Sequence, residues 1–168
     1  TRFEHECGVL PSTVAVIGKG HKLNRKEFFS DLKMMVAPAL RFHGVWKERK
    51  YWPNKTYFTG LIALPIVVED CCMILKLMEQ SLSYLSEKHK PVRLWVKKHP
   101  AVTLKKIKQN YGAPLPECFN FIDADFNESV EQADLLFGNL SSTCLETLAK
   151  GIPVVVVGNA NGLTHNPI

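Results

Sequence analysis

The chain has 168 residues, 46% hydrophobic and 22% charged, with a formal net charge of +5 and a pI near 9.0. That is an ordinary globular composition, long enough for one good core or one domain with an appendage. No apolar run in these 168 residues approaches the roughly 18 that span a bilayer, and the positive charge favours anionic ligands without implying nucleic acid.

In chain order, "TVAVI" (13–17) predicts a strand and "GKGHKLN" (18–24) a loop. A helical stretch starts near Arg25. "MMVAPAL" (34–40) carries a proline and predicts at best a short strand running into a turn. "FHGVW" (42–46) predicts a weak strand, and the basic, Pro-broken "KERKYWPNK" (47–55) a linker. From Thr56 the pattern becomes regular. A strand over 56–67 is followed by an amphipathic helix from Glu69 to about Lys88, with Ile74, Leu75, Met78, Leu82 and Leu85 at helical spacing. Strands follow at 92–98, 118–123, 134–138 and 153–157, with helices over 101–110, about 126–132 and after Gly138. Alternating short apolar strands and helices predict an α/β fold: a Rossmann-like, doubly wound parallel sheet with helices on both faces. The expected division is 1–55, the end of a preceding domain and a linker, and 56–168, the Rossmann-like domain.

Open parallel sheets bind ligands at the carboxyl ends of their strands. The end of the 56–67 strand reads "PIVVED" and carries no dinucleotide fingerprint, and "GKGHK" (18–22) lacks P-loop spacing. The 92–98 strand ends in "KKHP", where Pro100 holds His99 extended at the sheet edge. There the imidazole can act beside a phosphate, or the pair can simply stop the strand. The 134–138 strand ends in Gly138-Asn139-Leu140-Ser141-Ser142-Thr143. A helix start there offers unpaired N–H groups and a positive dipole end, an anion site to which hydroxyls add donors. Gly138 would let a ligand approach the backbone. The competing reading is a capping box, Thr143 as cap and Glu146 reaching back, which leaves the two serines without a task. If the helix begins at Ser141 or Ser142, Glu146 lies a turn inside and could face a ribose. His99 and Ser142 are then expected to grip one phosphate from opposite sides.

"KKHP" followed by "ADLLFGNLSSTCLETLAKGIPVVVV" resembles the carboxyl-terminal, donor-binding half of GT-B glycosyltransferases. It is most similar to bacterial enzymes with HP and SS/ST motifs, the sialyltransferases and polysialyltransferases and the CDP-glycerol glycerophosphotransferases of wall-polymer synthesis. The resemblance covers about Thr56 to Ile168. It implies a metal-independent glycosyltransferase of surface polysaccharide synthesis with a CMP-, CDP- or UDP-linked sugar donor and no other cofactor. It implies that His99, Ser141, Ser142 and Thr143 hold the donor's phosphate and that Glu146 binds ribose. It also implies a glycan or lipid-linked acceptor and an amino-terminal domain carrying the catalytic base. Residues 1–55 are too short for that domain, so no base is assigned and the fragment alone is expected to be inactive.

Two other readings stand beside this one: a sugar-nucleotide 2-epimerase of the same fold, which usually carries Ser-Gly-Gly where this chain has Ser-Ser-Thr, and a non-catalytic anion-binding α/β module whose serines cap a helix. The five cysteines, Cys7, Cys71, Cys72, Cys118 and Cys144, form neither a disulfide framework nor a zinc pattern, so a cytoplasmic setting and no metal are expected. Cys144 is expected to pack, the lysines of 103–110 to face solvent, and "KERK" (47–50) to be a linker or a peripheral membrane contact. His165 lies where a donor loop could pass.

Overall fold

The computed structural model describes residues 6–9, 11–19, 33–38, 56–86, 91–139 and 141–158. The helix expected from Arg25, the strand at 42–46, the linker at 47–55 and His165 lie outside the described residues. The chain divides into two compact units, Thr1–Gly44 and Val45–Ile168.

In the first unit, β1 (Thr13–Ile17) pairs in parallel with β2 (Lys33–Ala37), in register from Thr13 opposite Lys33 to Ile17 opposite Ala37. Pro38 follows β2 directly; it has no N–H to donate and closes the ladder there.

The second unit is a parallel five-stranded sheet. Its elements are β3 (Phe58–Ala63), α1 (Val68–Ser86), β4 (Val92–Lys97), α2 (Leu104–Tyr111), β5 (Phe119–Phe121), α3 (Phe126–Gln132), β6 (Leu135–Gly138), α4 (Ser142–Ala149) and β7 (Val154–Val156). The strands lie in the order β5-β4-β3-β6-β7, every pair parallel. The chain therefore winds outward from β3 in one direction, returns, and winds outward from β6 in the other. This is the doubly wound Rossmann-like arrangement.

Consecutive apolar residues serve both faces of the sheet. Ile62, Leu94 and Val96 pack with Ile74, Leu75 and Met78 of α1 and Ile107 and Tyr111 of α2. Leu61 and Leu136 pack on the other side with Val130 of α3 and Cys144 of α4. Leu61 and Ile62 are neighbours in sequence, both wholly buried, and belong to different layers. Truncating either to alanine should cost about 2–5 kcal/mol. The edge strand departs from the pattern: Val155 is 43% exposed, because among the described residues only β6 pairs with β7 and one face there is open.

Local signals set the ends. β3 is shorter than the expected 56–67 strand, because Pro65 lacks an N–H and the chain turns there into α1, which opens on Glu69 and Asp70 at its positive end. Thr103 caps α2 by accepting from the Lys106 N–H, and Gly112 ends that helix at φ +79°, a left-handed conformation that suits glycine. Asp125 caps α3 by accepting from the Asn127 N–H at 2.8 Å. Asp134 sets the register of β6. Its N–H donates to the Thr59 carbonyl at 2.8 Å, and its carboxylate accepts from the Thr59 N–H at 2.9 Å.

Candidate functional site

The order β4-β3-β6 puts the carboxyl end of β3 between two departing loops. The loop after β4 carries His99, and the loop after β6 leads into α4 on the opposite face of the sheet. Chain directions diverge between β3 and β6, which opens a crevice where such sheets bind ligands. A cleft of about 330 Å³ occupies this position, lined by Ala63–Ile66 after β3, Lys97–Pro100 after β4, Phe126 of α3, and Asn139, Ser141 and Thr143.

The structure brings His99, Ser141 and Thr143 into one cleft. Ser142, Glu146 and Gly138 are not among its lining residues. The helix starts earlier than a capping box at Thr143 requires. Ser141 is the cap, extended at φ −132° and ψ 142°, and its hydroxyl accepts from the Thr143 N–H at 3.3 Å. Thr143 is thus the second helical residue, and Glu146 sits deeper, off the capping position. Gly138 has a reason that needs no ligand: a Cβ there would lie 2.7 Å from Cys144 Sγ, so the missing side chain lets α4 settle on β6.

His99 is fixed by its own turn. Its Nδ1 accepts from the Ala101 N–H at 3.1 Å, and its carbonyl accepts from the Val102 N–H at 2.9 Å. With Nδ1 an acceptor, the proton of the neutral ring belongs on Nε2, so the outer nitrogen is a donor whether the ring is neutral or charged.

The neighbouring lysines differ. Lys97 Nζ donates to the main-chain carbonyls of Asp123, at 3.3 Å, and Ala124, holding the loop that leads from β5 to Phe126. Lys98 lines the same cleft, and among the described residues its ammonium has neither an ion pair nor a hydrogen bond. The described lining residues include two lysines and no carboxylate. Together with the N-terminus of α4, this gives the cleft a positive field.

Cys144 is wholly buried, and its Sγ donates to the Asn139 carbonyl at 3.2 Å. Burial pushes its thiol pKa above the ordinary range, so it is a packing thiol at neutral pH rather than a thiolate. Among the described residues no group of three His, Cys, Asp or Glu side chains is placed to hold a metal ion, and no helix is long and apolar enough to cross a membrane.

Local sequence pattern does not single out Lys98, Asn139 or Phe126. Lys98 could have been found, since the strand-end rule that singles out His99 applies equally to its neighbour. Asn139, only 3% exposed, stood inside the quoted loop without a role. Phe126 lacked any signal. It opens a helix whose distance from His99 depends on strand order, which local pattern does not supply.

No family model matches the chain, and no curated protein matches it in sequence. Among solved structures, the crystal structure of the GtfA/B complex is similar over 92% of this chain, with a TM-score of 0.62 and 13% identity. The chain spans 32% of the matched chain. Likeness at that identity shows the fold alone.

Proposed function

We propose that the second unit is the nucleotide-sugar-binding half of a glycosyltransferase of the GT-B type, and that the cleft between β3 and β6 holds the donor's phosphate group. One observation carries the reading: His99, Lys98 and the start of α4 line a single cleft, with no carboxylate among its described lining residues, at the point where the strand order reverses.

The chemistry follows from charge. In glycosyl transfer the bond between the sugar and the nucleotide's phosphate breaks, and negative charge gathers on the departing phosphate oxygen. Preorganised donors aimed at that charge stabilise the transition state more than the ground state. Here those donors are His99 Nε2–H, the Lys98 ammonium and the positive end of α4. The likeness to the GtfA/B complex supports a glycosyltransferase-like role in general, and the HP and SS/ST motifs support the more specific reading. In this reading a second domain supplies the catalytic base and the acceptor site for a glycan or lipid-linked sugar, and Glu146 meets the ribose. The setting proposed is cytoplasmic, in the synthesis of a surface polysaccharide.

Calorimetric titration with CMP, CDP, UDP and inorganic pyrophosphate tests the proposal. Micromolar binding of at least one nucleotide is expected, weakened about tenfold or more by His99→Ala, the loss of one hydrogen bond to a charged group. Glu146→Gln is expected to weaken the nucleotide and leave pyrophosphate alone. The absence of nucleotide binding would favour the second reading, an α/β module in which Ser141 serves only as the helix cap; its observed capping bond is the feature on that side.

A further inference from the structure

The chain's positive charge is concentrated in one place. Residues 97–116 hold five lysines and no aspartate or glutamate, while in the rest of the chain sixteen basic residues stand against sixteen acidic ones. Lys97 is tied to main-chain carbonyls. The ammonium groups of Lys98, Lys105, Lys106 and Lys108 have neither an ion pair nor a hydrogen bond among the described residues. Lys105, Lys106 and Lys108 are exposed on α2, away from the buried Ile107 and Tyr111. Lys105 and Lys106 stand in the first turn, at the positive end of the helix dipole, where cations are unfavourable; that turn has no acid to offset them.

A second observation is apolar. Ile66 and Val67 are consecutive aliphatic residues, 59% and 45% exposed. Their turn is pinned on both sides. Cys71 Sγ donates to the Pro65 carbonyl at 3.1 Å, and the Cys71 N–H donates to the Val67 carbonyl at 3.1 Å. The fixed backbone thus holds two aliphatic side chains in water, at a cost that burial would remove.

Both features share one edge of the sheet. β3 and β4 run in parallel with Ala63 opposite Lys97, and the Leu64 N–H donates to the Lys97 carbonyl at 2.9 Å. From these neighbouring strand ends Ile66 and Val67 lead into α1, and Lys98 leads into α2. The two helices pack on the same face of the sheet, so their starts are neighbours. The exposed acids Glu69 of α1, and Asp123 and Asp125 after β5, flank this stretch.

We propose that this edge is a docking surface for an anionic phospholipid bilayer. The lysines of α2 and Lys98 lie against the headgroups, and Ile66 and Val67 enter the boundary between headgroups and acyl chains. Charge complementarity selects an anionic partner. The aliphatic pair selects a lipid surface over a water-soluble polyanion, which has no apolar layer to receive it. The cleft opens on the same edge, so docking sets it beside the lipid, where a lipid-linked acceptor stands. The inference holds whether or not the cleft binds a nucleotide.

Cosedimentation of the chain with vesicles of phosphatidylcholine alone, and with vesicles that also contain phosphatidylglycerol, tests this. Binding is expected to the second kind only, and to weaken with salt. Each lysine near such a surface contributes about fivefold in affinity, so joint replacement of Lys105, Lys106 and Lys108 by glutamine is expected to weaken binding about a hundredfold. Ile66→Ser with Val67→Ser is expected to weaken it about fivefold or more; Val67→Ser alone, outside the cleft lining, repeats that arm with a smaller change. The glutamine variant is expected to melt no lower than wild type, since two cations leave the positive end of α2. The inference is overturned if wild type ignores anionic vesicles or binds neutral ones equally well, or if the glutamine variant binds as wild type does. It is also overturned if the serine variants bind as wild type does, because charge alone would then act and a soluble polyanion would fit as well. A glutamine variant that melts several degrees lower would give those lysines a structural task and overturn it too. Nucleotide titration of the same proteins is a separate readout: if wild type binds no nucleotide, the proposed function falls and the docking surface stands.

Discussion

Gly138 and Cys144 touch so closely that a methyl group on Gly138 would lie 2.7 Å from the cysteine sulfur. The contact joins the end of β6 to the first turn of α4, and so fixes how the helix start meets the cleft. Gly138→Ala is expected to destabilise the chain by about 1–3 kcal/mol through overpacking. Cys144→Ala removes the obstructing sulfur, so the double variant should recover part of that loss. A double-mutant cycle in urea measures the coupling; strict additivity would mean that the two residues do not press on one another.

The same contact shows what the sequence could and could not yield. The strand-helix alternation was legible because the strands are continuously apolar and the helices begin at clear caps, so the doubly wound sheet followed from pattern. Gly138 was also visible, but its reason was not. A glycine before a row of hydroxyls suggests ligand approach, whereas the sulfur it accommodates lies six residues on and arrives only through the turn of α4. Ser141 and Thr143 show the same limit. The capping box at Thr143 and Glu146 satisfied the local rule, and the helix began two residues earlier because Ser141 could adopt the extended cap conformation and accept from Thr143. Strand order, which makes neighbours of His99 and α4, is set by packing between distant segments.

His99 makes a prediction about a proton. Because Nδ1 accepts from the Ala101 N–H, the neutral ring is expected as the Nε2–H tautomer, and long-range ¹⁵N correlation spectra at alkaline pH read this directly. Asparagine can offer an acceptor where Nδ1 stands but no donor where Nε2 stands. His99→Asn is therefore expected to hold the turn better than His99→Ala, with a smaller fall in melting temperature, and to lose ligand affinity to a similar degree. Equal stability of the two variants would remove the structural half of this account.

Lys97 and Lys98 are adjacent and should behave oppositely. Lys97 is tied to the Asp123 and Ala124 carbonyls, so Lys97→Met is expected to lower stability by about 1 kcal/mol with a modest effect on binding. Lys98 has no such tie among the described residues, so Lys98→Met should stay within about 0.5 kcal/mol of wild type in stability. It should nonetheless weaken anion binding and flatten its dependence on ionic strength, since a cation has left the cleft. Denaturation and titration at two salt concentrations separate the cases; a reversed pattern would exchange the two roles.

Cys71 predicts a pH dependence. It is wholly buried in α1, its Sγ donates to the Pro65 carbonyl at 3.1 Å, and its thiol is pushed from an ordinary 9.0 up to about 12. Burial is the main cause, and the neighbouring Cys72 and Asp70 add to it. An acid whose pKa is raised on folding favours the folded state while protonated. That stability is whole below about pH 9 and is lost as the pH climbs toward about 12. Over such a span one group can withdraw up to about 4 kcal/mol. Burial raises the thiols of Cys72, Cys118 and Cys144 in the same direction, and burial with the Glu79 carboxylate raises the Tyr111 phenol, so the decline should steepen further above pH 10. Urea midpoints between pH 7 and 10.5 should hold level and then fall. Cys71→Ala should start lower at pH 7, by about 1 kcal/mol, and fall less steeply, because the group that must ionise in the unfolded chain is gone. Parallel curves for the variant and wild type would assign the alkaline loss to the other buried groups.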